Sequence, residues 1–284
     1  MTSFSILIPT WNNLDFLKLC VRSIRTNSKF SHQIILHVND GSDGTKEWAD
    51  SENIEHTYTS DNVGVCRALN SAYSLATTDY IVYLNDDMYV CPDWDLHLWS
   101  EITKIGHNRF YISSTTIEPI DVGKKCAIAP NSFGRFPAEF DEYSLLTQYD
   151  SFTFFDWNGA SWPPCIVHRS LWDQVGGYST EFYPGFYSDP DFAMKLWQVG
   201  VRTFMGASRS RAYHFLEVST NKLKKQMVKQ ANGIFLKKWG ITARFFNTFY
   251  LRMGSPYQGA LLGPSITIHY VWKRLGCSVK KFFV

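Results

Sequence analysis

Long apolar runs are missing from this sequence. Its nearest approach to a spanning segment, Gly259 to Trp272, is broken by Pro264, Ser265 and His269, well short of the roughly eighteen clean apolar residues a membrane-crossing helix needs. The amino terminus has no basic stretch leading into an apolar one. It enters Phe4-Ser-Ile-Leu-Ile8 directly, so no secretory signal is expected. No CxxC pair occurs. The six cysteines, at 20, 66, 91, 126, 165 and 277, are scattered, which argues against a zinc site or a disulfide framework and for reduced thiols in a cytoplasmic setting. Internal repeats and low-complexity tracts are also lacking. Acidic residues are nearly absent from one region only. Residues 216–284 hold twelve Lys or Arg and a single acid, Glu217, a balance of +11 inside a chain whose net charge is +2. The first 215 residues therefore carry −9. An acidic body with a basic, aromatic tail points to an anionic partner for the tail: a membrane surface, a lipid pyrophosphate or nucleic acid.

What is present is a large apolar and aromatic content, 45% and 16% of 284 residues. That is enough for one sizeable α/β domain with an appendage, or for two small domains. The first half alternates strand and helix signals. Phe4–Ile8 reads as a strand closed by Pro9, residues 14–26 as an amphipathic helix, and Ile34–Val38 as a second buried strand. A short helix runs from Asp43-Gly-Thr through Trp48, and Ile54–Tyr58 forms a weak strand. Val63–Ala76 forms a helix with Asn62 as its N-cap, and Tyr80–Leu84 is a further strand. This βαβ rhythm predicts a parallel sheet with helices on both faces. Beyond a helix over 93–105 the pattern loosens. Strands are expected at Phe110–Ser114, Cys165–His168 and Val201–Met205, with a helix at Asp189–Gly200 and a basic helix from about Thr220 to Trp239.

The strand Tyr80–Leu84 runs straight into Asn85-Asp86-Asp87. A buried strand that delivers carboxylates to its C-terminal end puts them where open α/β sheets bind ligands. Their hard oxygens suit Mg²⁺ or Mn²⁺, and such an ion can hold a diphosphate. A solvated turn capping the helix at Trp94 is the plainer alternative. Four further elements accompany this run. Pro9-Thr10-Trp11-Asn12 ends strand one, and Asn39-Asp40-Gly41-Ser42 ends strand two, with Asp40 able to accept from a base N–H. Asn62-Val-Gly64 with Arg67 opens a helix, an arrangement suited to an anion. Gly176-Gly177-Tyr178 precedes Ser188-Asp189-Pro190-Asp191, where Asp189 is either an N-cap or a general base. His214 closes a strand-like run, Arg211-Ala-Tyr-His.

In this order the motifs resemble those of family-2 inverting glycosyltransferases with the GT-A fold. The likeness rests on Ile6-Leu-Ile-Pro-Thr-Trp-Asn12, Asn39-Asp-Gly-Ser42, Asn62-x-Gly-x-x-x-Ala-x-Asn70, Asn85-Asp-Asp87 in place of a DxD motif, and Gly176-Gly-Tyr followed by Asp189-x-Asp191. It spans about residues 4–220. It implies a mixed, mostly parallel α/β sheet flanked by helices, as a catalytic domain over 1–215 with a basic helical extension over 216–284. It implies a nucleotide-sugar donor, probed by Pro9, Thr10, Asn12 and Asp40 at a pyrimidine base. Asn62, Arg67, Asn85 and Asp86 fall near the ribose and diphosphate. Asp87 and His214 become ligands of Mn²⁺ or Mg²⁺, and Asp189 the base, with Asp191 as fallback because Ser188 replaces the family's Glu. Trp162-Pro163-Pro164 and Tyr183-Pro-Gly-Phe186 are candidate walls or lids. The expected acceptor is a glycan or lipid-linked glycan, the setting the cytoplasmic face of a membrane, and no nucleic-acid partner is implied. A nucleotidyltransferase would usually place a Gly- and Lys-rich loop after strand one, which Pro9-Thr-Trp-Asn12 does not offer. A degenerate scaffold is the other alternative, opposed by retention of Asp40, Asp87 and Asp189.

Overall fold

The computed structural model describes residues 3–160, 162–216 and 222–281. Ser219, Thr220, Phe282 and Phe283 lie outside these residues. The chain begins β1 (Phe4–Trp11), α1 (Leu14–Asn27), β2 (Gln33–Asn39), α2 (Thr45–Ser51), β3 (Glu55–Thr59), α3 (Gly64–Tyr73) and β4 (Tyr80–Tyr83). β1 pairs in parallel with both β2 and β4, and β2 with β3. β1 is almost wholly buried, as a strand covered on both faces must be. The chain steps outward from β1 to β3 and then returns to the other side of β1. The strand order therefore reverses between β1 and β4, and the crevice beyond their C-terminal ends is where such sheets take ligands.

The strand β1 continues through Pro9 to Trp11 and is not closed by the proline. The Leu7 carbonyl accepts from Leu84 N on the β4 side. Pro9, two residues on, turns its missing N–H to that same side, where β4 has already ended.

The second half supplies β5 (Met88–Val90), α4 (Trp94–Ile105), β6 (Phe110–Ile117), β7 (Ala127–Ile128), α5 (Glu142–Gln148), β8 (Trp157–Asn158), β9 (Cys165–His168), α6 (Arg169–Val175), α7 (Ser188–Gln198) and β10 (Thr203–His214). The sheet runs β3-β2-β1-β4-β9-β6-β10-β5, with β7 beside β6 and β8 beside β10. Antiparallel pairings of β9, β5 and β8 make it mixed. Two strands outrun their sequence patterns. β6 extends past Ser114 because its buried hydroxyls are satisfied: Ser114 meets Ser210, and Thr115 donates to Ala207 O. β10 is one long strand, not a short one at 201–205, and its register against β6 shifts between Ala207 and Arg211. A bulge there breaks the alternation on which the sequence reading relied.

Apolar side chains pack both faces of the sheet. One core joins Leu17, Val21 and Ile24 of α1 to Leu98 and Ile102 of α4. The other joins α3, α6 and α7 to the carboxyl-terminal helices α8 (Lys222–Trp239) and α9 (Ala243–Phe245), through Phe235, Leu236 and Phe246. Trp197 stacks edge-on against Phe246 and Tyr250, and Asn158 bonds to Ser255 and the Pro256 carbonyl. The chain ends in α10 (Ile268–Lys281). Much of the aromatic surplus in residues 222–261 is thus core, and no helix among the described residues is long and apolar enough to cross a membrane. All six cysteines are buried free thiols.

Trp157 of β8 lies flat against Gly206 of β10, and its indole donates to Thr115 Oγ1 at 2.9 Å. A Cβ at Gly206 would fall 1.8 Å from Trp157 Cε2. Gly206→Ala should therefore expel or tilt a fully buried indole and lower stability by at least about 1–3 kcal/mol. A urea midpoint equal to that of the wild type would show that this contact does not hold β8 in place.

Candidate active site

A cleft of about 840 Å³ opens at the strand-order reversal. Its floor is the C-terminal edge of the sheet: Pro9 and Thr10 in the last part of β1 and Asn12 just beyond it, Asn39 at the end of β2, and Asn85, Asp86 and Asp87 after β4. Asn39 ties these parts together. Its Nδ2 donates to Thr10 O at 3.1 Å and its Oδ1 accepts from Val63 N at 2.9 Å. Asn12 Nδ2 donates to Asp40 Oδ2 at 2.8 Å, so Asp40 is held at the cleft through Asn12. Thr10 Oγ1 is buried without a hydrogen-bond partner.

The start of α3 differs from its sequence reading. Val63, not Asn62, occupies the N-cap position, and Asn62 accepts from Gly64 N at 2.9 Å from one residue further out. The Val63 and Val65 N–H groups are likewise taken, by Asn39 and by Pro184 O. Gly64 has φ +77°, and a Cβ there would lie 2.8 Å from Tyr183 and 2.9 Å from Pro184 O. The Tyr183–Phe186 segment is therefore seated on this helix end and forms a cleft wall, with Met227 of α8 beside it. These N–H groups are not directed at an anion. Arg67 sits exposed on α3 and is not among the cleft-lining residues, so the expected pairing of helix end and Arg67 as an anion site is not formed. Asn62 does line the cleft.

Beyond the acidic turn, His214 at the end of β10 stands between two carboxylates. Its Nε2 is 3.3 Å from Asp87 Oδ2 and its Nδ1 3.5 Å from Glu118 Oε1. Glu118 also receives Lys124 Nζ at 2.7 Å and the Thr116 hydroxyl at 3.0 Å. Burial works against charge on the imidazole. The Asp87 carboxylate and then Glu118 outweigh it and raise the His214 pKa from 6.5 to about 9. Burial also opposes charge on Glu118, but His214 and Lys124 hold its pKa below the usual value. Among the described residues no group of three or more His, Cys, Asp or Glu is arranged to hold a metal. Asp87 and His214 nonetheless fit as a pair. They stand 3.3 Å apart, somewhat more than the roughly 3.0 Å between neighbouring donors on an octahedral ion with bonds of about 2.1 Å; an ion there would displace the His214 proton, and Mg²⁺ usually takes only one or two protein ligands beside phosphate and water.

A second, smaller pocket of about 180 Å³ adjoins the first, and Asn85 lines both. Glu118, Lys124, Trp157, Trp162, Pro163, His214 and Asp189 enclose it. Asp189 is not an N-cap: α7 begins at Ser188, preceded by Tyr187 in the left-handed region. Its Oδ1 is shielded from solvent and has no hydrogen-bond partner, and burial raises its pKa from 3.8 to about 7. Asp191, two residues on, is directed away from the pocket. Lys238 Nζ lies 2.9 Å from its Oδ1, and Trp239 Nε1 donates to it at 2.7 Å.

The structure thus brings together Pro9, Thr10, Asn12, Asn62, Asn85, Asp86, Asp87, His214 and Asp189, with Asp40 behind Asn12. It leaves out Arg67 and Asp191. Both expected walls are present, Trp162-Pro163 at the small pocket and Tyr183–Phe186 at the cleft. Glu118 and Lys124 are absent from the sequence reading. A signal for Glu118 existed, since it directly follows β6 as Asn85 closely follows β4, but the polar run Ser113–Thr116 hid the strand.

Residues 5–155 match the family model described as Glycosyl transferase family 2. No curated protein matches the chain. Among solved structures it is similar to residues 1–349 of S. aureus TarS, at TM-score 0.56 and 13% identity over 83% of this chain and 72% of that one. The same TarS segment in complex with UDP-GlcNAc aligns at TM-score 0.52 and 11% identity, over 99% and 72%. The mannosyltransferase PcManGT from Pyrobaculum calidifontis, in complex with GDP-Man and Mn²⁺, aligns at TM-score 0.55 and 16% identity, over 83% and 63%. At these identities the likeness concerns the fold.

Because Asn39 serves Thr10 O and Val63 N from a buried position, Asn39→Ala should strand both groups. The expected cost is about 1–3 kcal/mol, together with weaker binding of nucleoside diphosphate in a thermal-shift titration. A variant as stable as the wild type, with unchanged ligand response, would show that this side chain does not organise the cleft.

Proposed function

The chain belongs to glycosyl transferase family 2 and has the GT-A fold, and on that premise we propose that it moves a sugar from a nucleoside diphosphate donor to an acceptor hydroxyl with inversion, assisted by Mn²⁺ or Mg²⁺. It is a glycosyltransferase. The observation that carries the finer reading is Asp189: a half-buried carboxylate, its Oδ1 shielded from solvent and unpartnered, poised near pH 7 in a small pocket that shares Asn85 with the large cleft. A general base works best when its pKa lies near the operating pH.

In this reading the nucleotide occupies the cleft, with Pro9, Thr10, Asn12 and Asp40 around the base and Asn62, Asn85 and Asp86 toward ribose and diphosphate. UDP- or dTDP-sugars are the donors this set suits, since Asp40 can accept from a pyrimidine N–H. Asp87 and His214 would hold the divalent ion, which when bound supplies charge neutralisation to the leaving diphosphate. The sugar projects past Asn85 into the smaller pocket. Asp189 takes the proton from the acceptor hydroxyl, whose oxygen attacks the anomeric carbon, and the bond to the nucleoside diphosphate breaks on the opposite face. Trp162, Pro163 and Trp157 exclude water that would otherwise hydrolyse the donor. The acceptor is a glycan or lipid-linked glycan in polysaccharide or glycoconjugate synthesis. The scattered reduced thiols suit the cytoplasm.

Asp189→Asn keeps the shape and removes the proton acceptor. Turnover should fall at least ~10²-fold with donor affinity nearly intact. In the wild type the rate should rise with pH through about 7 and level off above it, the window set by burial of Asp189. Stability moves the opposite way. The folded pKa lies above that of an unfolded aspartate, so folding takes up a proton between about pH 4 and 7, and stability declines across that range as pH rises. Asp189→Asn should therefore be more resistant to urea than the wild type at pH 8 and no more resistant at pH 4. By contrast, Asp191→Asn should weaken the fold through loss of the Lys238 pair while leaving the pH–rate profile in place. A damaging Asp191→Asn with a mild Asp189→Asn would transfer the base to Asp191.

A further inference from the structure

Helix α10 faces two ways. Tyr270, Arg274 and Cys277, spaced four and three residues apart, turn to the body. The Tyr270 ring meets Phe245 and Phe249 at 5.0 and 5.3 Å, Arg274 donates to the Gly240 carbonyl, and Cys277 is buried near Thr242. Ile268, Trp272, Leu275 and Val279, spaced four, three and four apart, project from the opposite side and are 87%, 76%, 59% and 57% exposed. Leu262 and Ile266 of the preceding segment are exposed as well. A row of large apolar side chains on the outward face of a surface helix is an unfilled contact.

The charge around this face identifies its occupant. α10 carries Lys273, Arg274, Lys280 and Lys281 and no acid. Lys273 and Lys280 fall on one flank of the apolar row. On the body side, Arg274, Ser278 and Lys281 with Gly240 line a recess of about 470 Å³. A second copy of the same helix would set these cations against one another. An anionic bilayer satisfies both features, taking the apolar row below its headgroups and the basic side chains among its phosphates. A helix of 14 residues is too short to span and suits the interface plane.

We propose that α10 docks the enzyme on an anionic membrane surface through Ile268, Trp272, Leu275 and Val279, with Lys273 and Lys280 engaging lipid phosphates. Other parts of the basic region turn inward: Phe235, Phe245 and Phe246 are core, and Lys238 pairs with Asp191 and Glu181. The docking goes beyond the transferase reading and holds whatever the donor or acceptor.

The test is co-sedimentation of the full chain with vesicles of phosphatidylcholine alone or mixed with phosphatidylglycerol. Binding to the mixed vesicles should exceed binding to the neutral ones at least tenfold and weaken with salt. The double variant W272S/L275S should lose at least tenfold of it. Lys273→Gln and Lys280→Gln should each reduce binding to the mixed vesicles about fivefold, near the value of one surface charge. All of these positions lie away from the cleft, so donor hydrolysis by each variant should equal that of the wild type and reports an intact fold. Absence of vesicle binding by an active wild type would overturn the proposal. So would undiminished binding by W272S/L275S, or a dimer in sedimentation velocity that this variant abolishes, which would give the face to a second copy. Loss of hydrolysis in every protein, with vesicle binding intact, would count against the transferase reading alone.

Discussion

The parallel pairing of β1 with β2 on one side and β4 on the other is the constraint from which the site follows. All three strands point the same way, so their polar ends must emerge at one edge. The chain leaves β1 in one direction and returns in the other, so the loops that follow β1 and β4 diverge and leave a crevice. Into that crevice β1 delivers Thr10, β2 delivers Asn39, and β4 delivers Asn85 to Asp87. Asn39 then locks the first two to α3, which fixes the spacing of the floor independently of any ligand.

Charge is distributed unevenly across this floor, and the imbalance has chemical consequences. On the β10 side, carboxylates and cations alternate as Asp87, His214, Glu118 and Lys124, so each is stabilised by the next. On the α7 side Asp189 has no such neighbour within hydrogen-bond reach, and burial alone sets its proton affinity. Two carboxylates bordering one pocket are thereby separated in function: Glu118 is held ionised, while Asp189 can gain and lose a proton near neutrality. The pair Asp189 and Asp191 is separated in the same way, by orientation on a helix and by the partners Lys238 and Trp239.

The carboxyl-terminal region belongs to the catalytic architecture more than its composition suggests. Met227 of α8 borders the cleft, Lys238 pairs with Asp191 while the Trp239 indole donates to it, and Met253 receives the Trp162 indole at 3.4 Å. A stretch that is basic and aromatic in sequence thus uses its aromatics to complete the core and some of its cations to offset acidic side chains of the body. Among the described residues, α10 keeps an apolar row turned outward with Lys273 and Lys280 on its flank.

Sequence by itself determined the parallel half of the sheet, because strands buried on both faces must be continuous apolar runs and their flanking helices must be amphipathic. It also determined which residues end those strands, and so most of the cleft floor: Pro9, Thr10, Asn12, Asn62 and Asn85 to Asp87. Tertiary structure decided what distance along the chain conceals. β10 carries His214 to Asp87 from more than a hundred residues away, and to Glu118 at the end of β6. Asn39, Asn62 and the Pro184 carbonyl took the N–H groups at the start of α3, and Arg67 lies outside the cleft. The choice between Asp189 and Asp191 was likewise tertiary, because two carboxylates two residues apart on a helix point in different directions. Which one stays unpaired depends on Lys238 and Trp239, almost fifty residues away.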